Sequence, residues 1–240
     1  MVNNLLLISL APILIIALYI YNRDKYEKEP LSVLIKALLA GIIIVLPVML
    51  IEKLLTIPSE NLEGVSYAAY TAFTVAGLTE EGMKFLAFYF FFWNNRNFNE
   101  KFDGIVYSVY IALGFAGIEN ILYVFSGGYG VGIIRALTAV PAHALFGIVM
   151  GYYFSLAKFN ASSKPVFIIL AFLMPFLFHG LYNFLLMGNS PVLLSAFIPV
   201  FIYFWISGFK KMSALSDASI FRDTHEEVQS GQDDHDQTVI

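Results

Sequence analysis

The sequence predicts an all-α polytopic membrane protein, a bundle of about seven transmembrane helices with a polar site in its outer half. The chain of 240 residues is 58% hydrophobic and 13% charged, whereas an average soluble domain is about 25% charged. Seven segments approach the roughly 20 apolar residues that a helix needs to cross a bilayer. Because lipid offers no partner for free backbone groups, these segments are predicted to be helical. This composition excludes a soluble enzyme and a nucleic-acid-binding protein.

The predicted spans are separated by short breaks that are rich in Pro, Gly, Asn and Ser, the residues typical of turns. The spans cover residues 2–21, 31–55, 66–93, 103–126, 131–157, 164–187 and 191–209. The chain contains no cysteine. A disulfide framework, a thiolate nucleophile and a thiolate metal ligand are therefore excluded.

Charge divides the chain into a transmembrane helical domain, residues 1–212, and an acidic tail, residues 213–240. The tail has many acids and few apolar residues, so we expect it to be disordered. Lys and Arg concentrate after the first, third and fifth spans and, as Lys210 and Lys211, directly after the seventh. Since cytoplasmic loops are enriched in these residues, we expect a cell-membrane protein with its N-terminus outside and its C-terminus in the cytoplasm.

Ionisable side chains deep inside the predicted spans are the main functional signal. An ionisable group at the bilayer centre costs about 2.5–3.5 kcal/mol on insertion scales, so such groups usually mark functional sites. Helical rise places this set at similar depths, between the middle of the membrane and its outer third. Its members are Glu80, Glu81, Lys84, Glu119, His143 and His179.

Helical spacing predicts which of these side chains meet. Lys84 follows Glu80 by four residues and Glu81 by three, so it is placed to pair with either acid. Adjacent Glu80 and Glu81 point about 100° apart on a helix and are expected to have different roles. Small residues share the face of His143 and allow a close helix approach, so His143 is expected to face protein. They are Ala139, Gly147 and Gly151.

These groups, with Asn183 one turn after His179, suit hydrolysis. A glutamate can take a proton from water as a general base, and histidine or asparagine can stabilise the resulting oxyanion. Alternatively, His143, His179 and a glutamate such as Glu119 can hold a zinc ion with an open position for water. The residues alone leave both mechanisms open.

Three other interpretations compete with an enzyme. The charged pairs and the histidines can be structural groups that join helices. A proton-coupled transporter also places Glu and His at mid-depth, but its typical paired broken helices are not evident in the sequence. A non-catalytic membrane scaffold needs no glutamate that activates water, so the Glu80-Glu81 pair argues against a scaffold.

Four motifs on consecutive predicted helices resemble those of the PrsW family of intramembrane proteases. This family is related to the CAAX-processing and bacteriocin-processing membrane proteases and to the scaffold subunit of gamma-secretase. The resemblance runs from about Glu27 to the end of the seventh predicted helix. Its motifs are Glu80-Glu81-Gly82-Met83-Lys84, Phe102-Asp103-Gly104 leading into Gly114-Phe115-Ala116-Gly117-Ile118-Glu119-Asn120, His143 after Arg135, and His179-Gly180-Leu181-Tyr182-Asn183.

The resemblance implies an intramembrane peptidase that cuts a membrane-anchored protein on the outer side of the membrane. In the characterised bacterial branch the substrate is an anti-sigma factor, which is cut at its first site. By similarity, Glu80 or Glu81 is the base that activates water, while His143 and His179 are oxyanion donors or ligands of a metal such as zinc. Asn183 orients His179 or donates as well, Glu119 shares a proton or binds metal, and Lys84 supports the site.

Overall fold

The computed structural model describes residues 2–222, which form eight α-helices and no β-strand. A π-helical segment, Tyr70–Gly77, joins the third helix to the fourth, and short 3-10 turns precede the third and seventh. The helices are α1 Val2–Arg23, α2 Leu31–Leu55, α3 Gly64–Ala69, α4 Leu78–Phe91, α5 Asp103–Leu137, α6 Ala139–Phe159, α7 Lys164–Met187 and α8 Pro191–Asp217. The helical class predicted from the sequence is therefore confirmed.

Five helical segments within residues 2–222 are long and apolar enough to cross a membrane, as judged by length and composition. One of them, Asp103–Phe159, contains both α5 and α6 and so includes the predicted fourth and fifth spans. The predicted third span corresponds to α3, the π-helical segment and α4, which carry the charged residues and are not among the five. The chain is a multi-pass membrane protein, and the count of seven spans stays a prediction.

Helix α5 forms the centre of the bundle and packs against α1, α2 and α6. Residues 102–117 of this region are all buried. Glycines allow the closest crossing, because a Cβ on Gly114 would overlap the carbonyl oxygen of Leu38, and one on Gly41 would overlap that of Ile111. Beyond this crossing, α2 and α5 form two walls of the cavity described below.

The chain reverses direction within α5 at Gly128. In a continuous helix, Glu119 and Arg135 would lie about 24 Å apart along the axis, yet their side chains form an ion pair of 3.1 Å. Gly128 has φ 76° and ψ −165°, a backbone conformation that is essentially restricted to glycine. The predicted start of the fifth span at residue 131 is therefore wrong, since residues 129–137 fold back and α6 begins at Ala139.

Helix α8 continues past residue 212, where the acidic tail was expected to begin, and ends at Asp217. Leu215 and Ser216 are buried, and the Ser219 hydroxyl donates a hydrogen bond to Glu100. The first residues after 212 are thus packed against the bundle. Residues 223–240, most of the predicted tail, lie outside the described part of the chain.

Candidate active site

Four helices bring the deep charged residues together. Glu80, Glu81 and Lys84 lie at the start of α4, Glu119 on α5, His143 on α6 and His179 on α7. Close approach between the π-helical segment and α7 helps to place them: a Cβ on Gly77 would lie 3.3 Å from the backbone nitrogen of Gly180. This contact brings the first turn of α4 alongside His179.

Lys84 is the centre of the cluster and pairs with both glutamates, as the helical spacing predicts. Its ammonium donates to Glu80 Oε2 at 3.2 Å and to Glu81 Oε1 at 2.8 Å. It also lies 3.1 Å from His143 Nδ1. Because an ammonium only donates hydrogen bonds, His143 Nδ1 must accept, and its proton must be on Nε2. That nitrogen lies 2.8 Å from Glu119 Oε2 and donates to it.

His179 is oriented by Glu81. Its Nδ1 lies 2.9 Å from Glu81 Oε1, the same oxygen that accepts a hydrogen bond from Lys84. The Nδ1–H therefore donates to the carboxylate, and the lone pair of the neutral ring is on Nε2. Nε2 lies 3.8 Å from Glu80 Oε1. A carboxylate that fixes the tautomer and direction of a histidine in this way is typical of metal sites.

Arg135 extends the network to the neighbouring helices. Its Nη2 lies 3.1 Å from Glu119 Oε2, and its Nε donates to Asn120 Oδ1 at 3.0 Å. The Asn120 side chain donates in turn to the backbone carbonyl of Ser9 in α1 at 2.8 Å. Sequence reasoning missed Arg135 because residue 135 lies near the end of a predicted span, where an arginine can reach the lipid headgroups.

A cavity of about 690 Å³ reaches this cluster. The cavity distinguishes the two adjacent glutamates, because Glu80 lines it and Glu81 does not. Glu81 is 0% exposed and lies behind the cavity wall together with Lys84. The other site residues that line it are Glu119, His143, His179 and Asn183. The side chain of Asn183 makes no hydrogen bond with any residue in the range 2–222.

Glu52 is a second residue that sequence reasoning missed. It lies in the last turn of α2 and lines the same cavity as Glu80 and Glu119. The available signal is its spacing, since it follows Val45 by seven residues and Val48 by four and so lies on their face of the helix.

Four buried residues of the cluster could hold a metal ion. Glu80, Glu81, His143 and His179 each offer a ligand atom, and these atoms all lie within 4.8 Å of one another. Two imidazoles with carboxylates are a donor set that suits zinc. Lys84 already contacts His143 Nδ1, so its ammonium and a metal compete for that nitrogen. Glu119, expected from the sequence as a possible ligand, lies outside this group and contacts the other ring nitrogen.

Comparisons with known proteins point to one family of membrane proteases. Residues 29–207 match the model of a family described as PrsW family intramembrane metalloprotease. The chain is similar to Protease PrsW of Clostridioides difficile (43% identity; 77% of this chain and 79% of the relative) and of Geobacillus kaustophilus (41%; 78% and 81%). It is also similar to Protease PrsW of Bacillus subtilis (33%; 85% and 91%). No solved structure matches the chain.

Proposed function

Because the chain belongs to the PrsW family of intramembrane metalloproteases, we propose that it cuts a membrane-anchored protein with Glu80 as the general base. The observation that carries this assignment is the cavity, which exposes Glu80 beside His143 and His179 and leaves Glu81 behind its wall. A base must reach the water that it activates, so the glutamate that lines the cavity is the better candidate.

We assign zinc to the cluster, with His143 and His179 as the residues that would hold it and Glu80, the proposed base, beside them. The donor set supports this choice, because buried imidazole and carboxylate groups suit zinc, and the ligand atoms lie within 4.8 Å of one another. Zinc would polarise the scissile carbonyl and lower the pKa of water.

The proposed chemistry of Glu80 is a proton transfer in two directions. Its carboxylate takes a proton from water as the water oxygen attacks the carbonyl carbon of the scissile peptide bond. The same carboxyl then gives the proton to the amide nitrogen as the carbon–nitrogen bond breaks. The products are a carboxylic acid end and an amine end, and Glu80 returns to its starting form.

The proposed roles of the other residues follow from their hydrogen bonds. Glu81 positions His179, and Lys84 provides the positive charge that keeps two adjacent glutamates in one buried site. Asn183 donates to the oxyanion, because its amide lines the cavity and is not paired with any described residue. The histidines are poor donors there, since the N–H groups of His143 and His179 already point to Glu119 and Glu81.

The substrate and the orientation belong to the same proposal. By the family resemblance, the substrate is an anti-sigma factor that is cut on the outer side of the membrane. The loop charges support an N-terminus outside and a C-terminus in the cytoplasm. The cavity is lined by residues near the α2 end that this orientation places outside, such as Lys53 and Thr56.

Reconstitution in vesicles separates this function from a transporter and a scaffold. Purified protein is combined with a panel of single-span membrane proteins, including an anti-sigma factor, and both peptide cleavage and proton flux are followed. We expect cleavage without flux. Flux without cleavage would support a transporter, and the absence of both would support a scaffold.

A further inference from the structure

Glu52 lies near the end of the face of α2 that forms one wall of the cavity. Val45, Val48, Met49 and Glu52 are spaced as one face of a helix, and all four line the cavity. The same face crosses α5 at Gly41, one turn before Val45. The wall is therefore apolar near the crossing and carries a carboxylate farther along, beside Lys53.

The carboxylate of Glu52 is unpaired, unlike those of Glu80 and Glu119, the other two acids of the cavity. Glu80 pairs with Lys84 at 3.2 Å, and Glu119 pairs with Arg135 at 3.1 Å. The carboxylate of Glu52 has neither a hydrogen bond nor an ion pair with any residue of the described range. Glu80 and Glu119 repel this carboxylate electrostatically, and Lys84 attracts it from behind the cavity wall. A cation that entered the cavity at this point would relieve the repulsion.

The position of Glu52 relative to the reacting groups follows from the helix crossing. Glu52 is eleven residues beyond Gly41 on α2, whereas Glu119 is five beyond Gly114 on α5. A rise of about 1.5 Å per residue puts Glu52 about 9 Å farther from the crossing than Glu119. An extended peptide covers that distance in about three residues.

We infer that Glu52 is a specificity residue whose carboxylate binds a Lys or Arg side chain of the substrate within a few residues of the scissile bond. This inference rests on the proposed peptidase function and deepens it by naming a chemical class for one substrate position. An amine or guanidinium on a long side chain supplies the ion-pair partner that Glu52 lacks, while the apolar wall of α2 contacts the methylenes of that side chain.

The test is cleavage of a substrate series by protein reconstituted in vesicles. Each of the four positions on either side of the scissile bond is occupied in turn by Lys, Gln or Glu, and kcat/KM is measured. At one position we expect wild type to prefer Lys over Glu by about tenfold, as for a close charge pair. Glu52→Gln is expected to remove most of this preference, and Glu52→Lys to invert it.

Glu60→Gln is the matched control, because Glu60 is an exposed acid nearby in sequence that does not line the cavity. It should keep the wild-type preference. An equal preference in wild type and Glu52→Gln would overturn the inference and leave the peptidase function standing. The comparison of wild type with Glu52→Gln is sufficient for this conclusion even if Glu52→Lys does not fold.

Failure of the peptidase function itself is a distinct outcome, because then wild type cuts no member of the series. Binding of fluorescent Lys and Glu peptides to the full chain in detergent then decides the inference. Tighter binding of the Lys peptide to wild type, lost in Glu52→Gln, supports a cation subsite. Equal binding of both peptides to wild type overturns it.

Discussion

Nδ1 of His179 donates a hydrogen bond of 2.9 Å to Glu81 Oε1, and this contact gives the two adjacent glutamates different roles. Glu81 is buried behind the cavity wall, where it also accepts from Lys84. His179 is thereby held with Nε2 toward Glu80, at 3.8 Å. The positioning acid and the acid that reaches the cavity are thus neighbours in sequence, separated by the 100° turn of the helix.

Glu81→Gln is expected to weaken cleavage without abolishing it. The amide keeps the size of the side chain but loses the charge that holds His179 and Lys84 in place. Loss of such a supporting contact typically costs about 10–100-fold in activity or metal affinity. Both kcat/KM and zinc affinity should fall by amounts in this range. Unchanged values of both in Glu81→Gln would show that Glu81 does not position His179.

Arg135→Gln is expected to lower the thermal midpoint of the protein in detergent. Glu119 would lose its ion pair but keep His143, whereas the Oδ1 of buried Asn120 would lose its donor. An unsatisfied buried group costs about 1–3 kcal/mol. The double variant with Glu119→Gln should recover part of this loss, since the two side chains contact each other. Arg96→Gln, at an exposed loop position, is the control and should have little effect. Additive losses in the double variant would contradict the coupling.

Gly128→Ala tests the chain reversal that brings Arg135 to Glu119. A Cβ at residue 128 would meet no atom within 4 Å, so any loss of stability must come from the backbone at φ 76°. Such strain costs about 1–3 kcal/mol. Gly130→Ala is the control, because a Cβ at residue 130 also meets no atom within 4 Å and the φ of Gly130 is not positive. A thermal midpoint as high for Gly128→Ala as for Gly130→Ala would rule out the reversal at this residue.

Asp24, in the loop between α1 and α2, should make stability depend on pH. Burial, reinforced by repulsion from Glu100 and Glu29, raises the pKa of Asp24 from its usual 3.8 to about 7. The folded protein then holds a proton that the unfolded chain releases, so stability falls as pH rises from about 4 to about 7. The loss is at most about 4 kcal/mol.

Asp24→Asn should reduce this dependence, and part of it should remain because burial also raises the pKa of Glu29 to about 7. Relative to wild type, the variant is expected to gain thermal stability between pH 5 and pH 8, measured as the unfolding midpoint in detergent. Glu60→Gln, which changes an exposed acid, should follow wild type at both pH values. Parallel pH profiles for Asp24→Asn and wild type would contradict the raised pKa.

Local spacing accounts for the part of the site that sequence reasoning predicts correctly. Glu80, Glu81 and Lys84 lie within one turn of a helix, so their contacts follow from helical geometry. The small residues around His143 indicate a close helix contact, and His143 is indeed buried against α5. These inferences need no knowledge of the tertiary fold.

Tertiary contacts account for what the sequence does not reveal. The pairing of Arg135 with Glu119 depends on the reversal at Gly128. The sequence does not show this reversal, because the apolar pattern continues on both sides of Gly128. Spacing along α2 places Glu52 on the face of Val45 and Val48, but the crossing of α2 and α5 decides that this face lines the cavity. Neither tertiary contact follows from the spacing of residues along one helix.

The most direct test of the account is the cleavage rate of Glu80→Gln in vesicles, on a substrate that wild type cuts. Glu60→Gln, reconstituted to the same density and with a matched thermal midpoint, is the control. We expect Glu80→Gln to lose at least about 100-fold in kcat, as for removal of a general base, and Glu60→Gln to keep the wild-type rate. A Glu80→Gln protein that cuts at the wild-type rate would contradict the assignment of Glu80 as the base.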